Sequence, residues 1–504
     1  MRKSLRKEEQ GGWGPALLLA FLWAVLPALP ALSQGQILGS PLTDLYPSVW
    51  GLDGFAAQQP GLPLWTDRVA APGGMGFYYS SPLHGWVGTP LWSLFGPVVA
   101  YNVTLLLARF ATVAVGFGAF RAIGLGPRGA LCAAGIYGAS PFFHGYSVEG
   151  IVEGTDGWTL ALWAWAVARR HTVASALAFA LTVASSWYLG MVACLLAVGW
   201  GLRERGAWIS MGAGLLLSSP FLYGFLTTMT GAAPLESSVR VAMGSSLIPA
   251  KPGWWPGLNP FAMTSFLGLS TLGLGFVGAR ERPGVAIGAG ICFLLSFGVG
   301  PWYWLPVMES IRFPYRWHAG TLFCAAILAG TIVDRLKFAW LAWLPAIEGL
   351  LLGPIEPIIP GAPSEIPKIY DAVQGPLLLE VPGPLAMPPG EPNFSRPRSR
   401  YLLYAQTLHG AASPWAPDFN GVAEGKEAPF LQDFRACDPL YQKLHPDATC
   451  GPFRLGPLKA AGVTQVMVHR DELRSQAAPL EQALIAAGAT LQQEQDTLAL
   501  YRIP

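Results

Sequence analysis

Charge is what this sequence has least of. Only 12% of its 504 residues are charged, about half the ~25% of an average soluble domain. A chain of this length with so few charges, 52% hydrophobic residues and 20 Trp reads as a membrane protein. Neither sign dominates, with 32 Lys and Arg against 30 Asp and Glu. No basic face is present, which argues against nucleic acid as a partner. Cysteine is scarce too: there are six, none in a CxxC or zinc-ligand spacing. Cys132, Cys194, Cys292 and Cys324 lie in apolar runs and read as packing residues. Cys437 and Cys450 lie in a polar region and can pair if it faces an oxidising compartment. A long internal repeat, the mark of many transporters, is also missing.

Apolar segments are what the chain has in abundance. They fall near 13–33, 98–120, 129–147, 156–168, 172–186, 188–202, 207–229, 262–279, 284–300, 316–333 and 338–354, predicting about eleven transmembrane helices. The basic start followed by 13–33 has the outline of a signal peptide, but the segment is long enough to span and reads as an uncleaved first helix. Basic pairs sit at alternate junctions: Arg121 and Arg128, Arg169 and Arg170, Arg203 and Arg205, Arg280 and Arg282, Arg335 and Lys337. With Arg2, Lys3, Arg6 and Lys7 at the start, the positive-inside rule puts the N-terminus in the cytoplasm and the C-terminus outside. The acids Asp44, Asp53, Asp67, Glu149, Glu153, Asp156, Glu236 and Glu309 then all face outward.

The first outer loop, 34–96, is long for a connection and rich in aromatic residues, which argues for a functional rather than a disordered loop. Its apolar end, Leu83 to Phe95, suits a short interfacial amphipathic helix. Near Pro354 the composition shifts through Pro-rich stretches to ordinary polarity. The runs PLLLEVP, YLLYAQTL and TQVMVHR read as strands, Ala477 to Ala487 as a helix and TLALYRIP as a final strand. The predicted organisation is a transmembrane domain over 1–354 and a small extracytoplasmic α/β domain over 355–504.

Several stretches together carry a family likeness: TDLYPSVWGLDGF, SPLHGWVGTPLWSLFGPVVAYNVTLLL, SSWYLG, NPFAMTSFLGLSTLGLG and LPVMESIRFPYRWHAGTLFCAAILAG, then LLLEVP, YLLYAQTLHG, AGVTQVMVHRDEL and LALYRIP. In this order the chain resembles the GT-C superfamily of integral membrane glycosyltransferases, of the bacterial polyprenyl-phosphate-sugar-dependent mannosyltransferase or YfhO-like type. The resemblance implies a GT-C-like helical fold, a polyprenyl-phosphate sugar donor and a catalytic base in the first outer loop, where Asp44 matches. The family often pairs its acids as DxD or DE; here the next acid is Asp53.

The residues permit that chemistry and plainer readings beside it. A carboxylate at the membrane edge can take the proton of an attacking hydroxyl, and a single displacement inverts the anomeric centre; Asp44 equally suits a cap for a helix starting at Leu45. Asp53 reads as substrate-binding or structural. Glu149, Glu153 and Asp156 share one short outer loop. They can bind acceptor hydroxyls, hold a divalent metal such as Mg or Mn with Asp44, or sit solvated. Arg312 and Arg316 can meet a leaving phosphate or snorkel to headgroups. His84, with His144, is a further candidate near the outer surface, and His318 reads as a packed histidine. Arg109 lies mid-span and wants a partner, for which Glu348 is the candidate.

The sequence therefore predicts an inner (plasma) membrane, multi-pass hexosyltransferase. Its partners are the bilayer, a polyprenyl-phosphate sugar donor and a glycan, lipid or protein acceptor. A polytopic transporter or flippase, or a non-catalytic GT-C-like scaffold, is the alternative.

Overall fold

The structure is a computed structural model and describes residues 12–41, 43–61, 65–76, 81–202, 204–223, 265–297, 314–353, 357–383, 397–415 and 428–504. The chain is mostly helical and divides into two compact units. One comprises 1–40, 80–223 and 236–362; the other comprises 41–79, 224–235 and 363–504.

Three helices of the first unit are long and apolar enough to cross a membrane: Trp13–Ser33, Pro82–Ala122 and Pro314–Val333. Shorter apolar helices run over Thr172–Ser185, Trp187–Gly201, Leu269–Ala279 and Pro283–Leu295. Proline starts several helices, at Pro82, Pro127, Pro141 and Pro283, where its fixed φ fits and its missing N–H costs nothing. Phe117, Phe120, Tyr137, Trp163 and Phe323 fill the core.

The predicted segment 129–147 is two helices, Pro127–Gly138 and Pro141–Glu149. Ser140 accepts the Phe143 N–H as a cap and Pro141 opens the second helix, so a cap-and-proline pair breaks an otherwise apolar run. The last predicted segment, 338–354, holds a 3₁₀ turn and the nine-residue helix Leu344–Leu352, too short to span alone. The long helix Pro82–Ala122 kinks at Gly96, whose φ of 80° is left-handed, with Pro97 beside it. Before the kink, Trp86, Val87, Leu94 and Phe95 are exposed.

Helices Pro127–Gly138 and His318–Val333 pack closely. A Cβ on Gly129 would strike the Gly330 carbonyl, and one on Gly330 would lie 2.6 Å from the Gly129 carbonyl; only glycine lets the backbones approach so far. Asp334, just past the second helix, accepts the backbone N–H groups of Gly126 and Gly129, the latter at 2.7 Å. It thereby caps the N-terminus of Pro127–Gly138 from far along the chain.

The second unit holds a four-stranded sheet in the order Leu378–Val381, Gln465–His469, Leu498–Arg502, Thr490–Gln495. The first pair is parallel and the other two are antiparallel. One face packs Leu379, Val381, Val466, Val468, Ala499 and Tyr501 against Leu480 and Leu484. The other packs Leu378, Met467, Leu498 and Leu500 against Ile369, Tyr370 and Ala405. Burial on both faces explains the near-continuous apolar runs of the central strands. The stretch YLLYAQTL, expected as a strand, lies in the helix Pro397–His409. Its Leu, Ala and Gln are good helix formers, and the helix packs Tyr404 against Tyr46 at 5.2 Å. Cys437 and Cys450 are disulfide-bonded.

Candidate functional site

The predicted site residues fall into two groups, one in each unit. In the sheet-containing unit, Asp44 precedes the helix Leu45–Ala57. Its carbonyl accepts the Ser48 N–H at 2.9 Å. Asp44 thus occupies the N-cap position of a helix starting at Leu45, as the cap reading expects, though its carboxylate makes no capping hydrogen bond to that helix. Asp53, on the same helix, is buried and accepts Arg68 Nη1 at 2.7 Å. Arg68 Nη2 also donates to the Gln406 carbonyl, and Gln406 Oε1 accepts the Trp50 indole N–H at 2.6 Å. Asp53 thus belongs to a network that ties the first-loop helix to the helix Pro397–His409. Burial pushes the phenols of Tyr46 and Tyr404 up to about 12, so both stay protonated and donate to the carbonyls of Pro363 and Ser364.

In the helical unit the loop between Pro141–Glu149 and Gly157–Ala168 organises the other candidates. Gly150 turns the chain with φ 68°, and Val152–Gly154 forms a 3₁₀ turn. Glu149 ends the first helix, half-buried. Glu153 Oε1 accepts Arg316 Nη2 at 3.0 Å. The Arg316 guanidinium lies over the Tyr188 ring at 4.3 Å and near the Tyr146 ring at 5.6 Å. Both contacts are of the cation–π kind, which favours a held, desolvated arginine. A side chain on Gly154 would collide with the Tyr146 ring, so glycine there lets the tyrosine lie flat. Tyr146, Tyr188 and Tyr315 were not singled out from sequence; for Tyr188 and Tyr315, their presence in SSWYLG and RFPYR was the available signal. Arg312 lies outside the described residues.

Three residues beyond Glu153, Asp156 makes a different set of bonds. Its Oδ2 faces His84 Nδ1 at 2.9 Å and accepts the Ser81 hydroxyl at 3.4 Å; its Oδ1 accepts the Trp158 indole N–H at 3.0 Å. Ser81, His84 and Asp156 are all buried. His84 Nε2 is hidden from solvent and has no hydrogen-bond partner among the described residues.

Arg109 is buried, but its expected pairing with Glu348 does not occur. Its guanidinium donates to the Trp23 carbonyl and to Ser147 Oγ, each at 2.8 Å, and lies over the Trp23 ring at 5.2 Å. Glu348 instead accepts the first N–H groups of the helix Leu269–Ala279, that of Ser270 at 2.8 Å. A carboxylate reaches a helix N-terminus more readily than a distant arginine. His318 is buried against Phe142.

Among the described residues no three His, Cys, Asp or Glu side chains gather in a way that could hold a metal ion. Glu153 is committed to Arg316 and Asp156 to His84, so the acids of this loop do not converge on one point.

No protein-family model matches the chain, and no curated protein matches it in sequence. Solved structures do match. The cryo-EM structure of the arabinofuranosyltransferase AftD from Mycobacteria is similar over 97% of this chain, at 17% identity and a TM-score of 0.63. The chain spans 39% of that protein's length. The apo oligosaccharyltransferase of Archaeoglobus fulgidus is similar over 91% of this chain and 69% of its own, at 11% identity and a TM-score of 0.55. The same archaeon's AglB in complex with an inhibitory peptide and a dolichol-phosphate is similar over 96% of this chain and 73% of its own, at 10% identity and a TM-score of 0.52. The chain has the fold of the GT-C glycosyltransferases.

Proposed function

We propose that this chain is a membrane glycosyltransferase that moves a sugar from a polyprenyl-phosphate carrier to an envelope glycan, lipid or protein acceptor. The observation that carries the reading is the loop Glu149–Asp156, set in a GT-C fold. Three residues apart, it holds an arginine through Glu153 and a histidine through Asp156. Fold alone would not assign an activity; a buried arginine fixed in direction and a buried acid–base pair supply chemistry to it. The dolichol-phosphate bound by AglB is a lipid carrier of the class proposed.

In this reading Asp44 takes the proton of the attacking hydroxyl, and a single displacement inverts the anomeric centre. Arg316, with Arg312, meets the charge that develops on the leaving phosphate through its planar fork. Glu153 fixes the Arg316 fork. Glu149 shapes the acceptor side, and Asp53 supports the first-loop helix. The chain crosses the inner membrane with about eleven spans, the N-terminus cytoplasmic. Residues 1–354 form the transmembrane domain and residues 355–504 an extracytoplasmic α/β domain, in the manner of the YfhO-like type. A related oligosaccharyltransferase structure holds zinc and sulfate. The described residues here do not fit a metal site, and no step is assigned to one.

The test is a mass-spectrometric profile of envelope glycans and lipid-linked sugars. It compares a deletion strain with strains carrying wild type or Asp44→Asn at equal expression. A sugar missing from both the deletion and the Asn strain supports the transferase and names its product. Full restoration by Asp44→Asn removes Asp44 from the chemistry and favours transport or scaffolding.

A further inference from the structure

We propose that Thr112 is a positioning residue of this site. It caps the helix Gly157–Ala168 in place of Asp156, and so keeps the Asp156 carboxylate turned to His84 and Ser81. The inference rests on the transferase reading and deepens it.

Asp156 stands at the N-cap of the helix Gly157–Ala168, yet its side chain makes no capping bond. An aspartate at this position ordinarily accepts the N–H of the second or third helical residue, and the helix dipole favours its charge there. Here both N–H groups are already taken. Trp158 N–H donates to Thr112 Oγ1 at 3.2 Å, and Thr159 N–H donates to the Asp156 carbonyl at 3.0 Å. The carboxylate is left to accept the Ser81 hydroxyl and the Trp158 indole N–H, and to face His84 Nδ1 at 2.9 Å.

Thr112 is held so that it cannot turn away. It is buried on the helix Pro82–Ala122. Its hydroxyl lies 2.7 Å from the Ala108 carbonyl, one turn back, and 3.2 Å from the Thr155 carbonyl. Its one proton goes to these acceptors, which leaves an oxygen lone pair for the Trp158 N–H. Gly157 permits the approach: a Cβ there would lie 2.9 Å from Thr112 Cγ2 and 2.5 Å from Phe143 Cζ. Arg109, three residues before Thr112 and on the same face of its helix, holds the other end of the loop by donating to Ser147 Oγ at 2.8 Å. Ser147 lies two residues before Glu149, and Trp158 two residues after Asp156. One turn of one helix therefore grips the loop Glu149–Asp156 at both ends.

A purely structural threonine would do no more than satisfy a buried N–H. Asp156 could do that from its own N-cap position, and the threonine would then be dispensable. What Thr112 adds is direction. Without its hydroxyl, Asp156 is the acceptor next to the Trp158 N–H, and taking that bond turns the carboxylate away from His84.

Two measurements test this. The first is ¹⁵N-histidine NMR on the full chain in lipid nanodiscs, with the His84 signals assigned by their loss in His84→Gln. Thr112→Val keeps the shape and removes the hydroxyl. It should move the His84 Nδ1 signal to the position that Asp156→Ala gives it, and Thr112→Ser should leave it as in the wild type. An Nδ1 signal unmoved in Thr112→Val overturns the inference. The second is the amount of the sugar that the deletion strain lacks. Folded Thr112→Val should lose about tenfold, and Thr112→Ser should retain the product. Because Thr112 acts through Asp156, Thr112→Val should add nothing to the loss caused by Asp156→Ala. Additive losses, or full product from Thr112→Val, overturn the inference and leave the transferase standing. A deletion strain that lacks no sugar overturns the transferase reading itself. Should Thr112→Val not accumulate, hydrogen exchange of Asp156→Ala decides. The Trp158 amide should stay as protected as in the wild type; lost protection would make Asp156 the cap and end the proposal.

Discussion

Gly129 and Gly330 meet backbone to backbone, with no side chain between them. Their helices, Pro127–Gly138 and His318–Val333, owe their close approach to this pair. Gly330→Ala places a Cβ 2.6 Å from the Gly129 carbonyl and 2.7 Å from Leu125 Cδ1. The helices must part, with a loss of about 1–3 kcal/mol. Thermal unfolding followed by size-exclusion fluorescence should show a lowered midpoint. Ala at Gly290, where nothing lies within 4 Å, should leave it unchanged.

Arg316→Lys keeps the charge but gives up the planar fork and the stacking on Tyr188. Product formation should fall at least tenfold, equivalent to about 1.4 kcal/mol, with no matching loss of expression. Glu153→Gln should act in the same direction but more weakly, because it frees the arginine without removing it. Equal product from wild type and Arg316→Lys would take the arginine out of the reaction.

The helix Pro397–His409 carries a pH-dependent element. Burial, aided by Arg68, lowers the His409 imidazole from 6.5 to about 4. Its Nδ1 accepts the Ala411 N–H at 3.1 Å, a bond that protonation would remove. Between pH 6.5 and about 4 the unfolded chain binds this proton and the folded chain does not, so stability falls as pH drops through that window. Below about 4 this contribution levels off. Hydrogen exchange of the sheet unit should speed up across the window, and His409→Asn should flatten the response.

The Cys437–Cys450 bond closes a short loop, with a sequence separation of 13. Removing it should cost about 3 kcal/mol by the loop-entropy estimate. Cys437→Ser should lower the stability of the sheet unit by that order. In wild-type cells, thiol labelling of this pair should require prior reduction. Labelling without reductant would place this region in a reducing compartment, against the proposed topology.

Much of this architecture is written locally. Apolar runs mark helices because burial is the main force acting on them, and the short central strands carry β-branched and aliphatic residues that fit a doubly covered sheet. The failures are informative. YLLYAQTL has aromatic residues that suit a strand, but tertiary packing against Tyr46 and its own helix formers decide for a helix. The edge strand Thr490–Gln495 escaped notice because TLQQEQ is polar and largely exposed, so no buried face imposes alternation. Charged pairs were the least legible. Arg316 finds Glu153 and Asp156 finds His84 across long stretches of chain, and nothing in sequence spacing encodes those meetings. Arg109 shows the same limit: its guanidinium meets a carbonyl, a hydroxyl and the His144 ring, and no acid of opposite charge that the sequence could have flagged.

Asp334 has a consequence of another kind. Its carboxylate sits on the first turn of Pro127–Gly138, while Gly330, one turn earlier, supplies the flat contact with Gly129. Both contacts demand one rotational phase of the helix His318–Val333. A single residue inserted between Gly330 and Asp334 would swing one against the other by about 100° and shift it by about 1.5 Å, so that cap and contact could no longer form together. The same residue inserted into a surface connection would cost little, since loop entropy grows slowly with length. Natural relatives of this chain should therefore vary freely in loop length yet keep the spacing from Gly330 to Asp334 fixed.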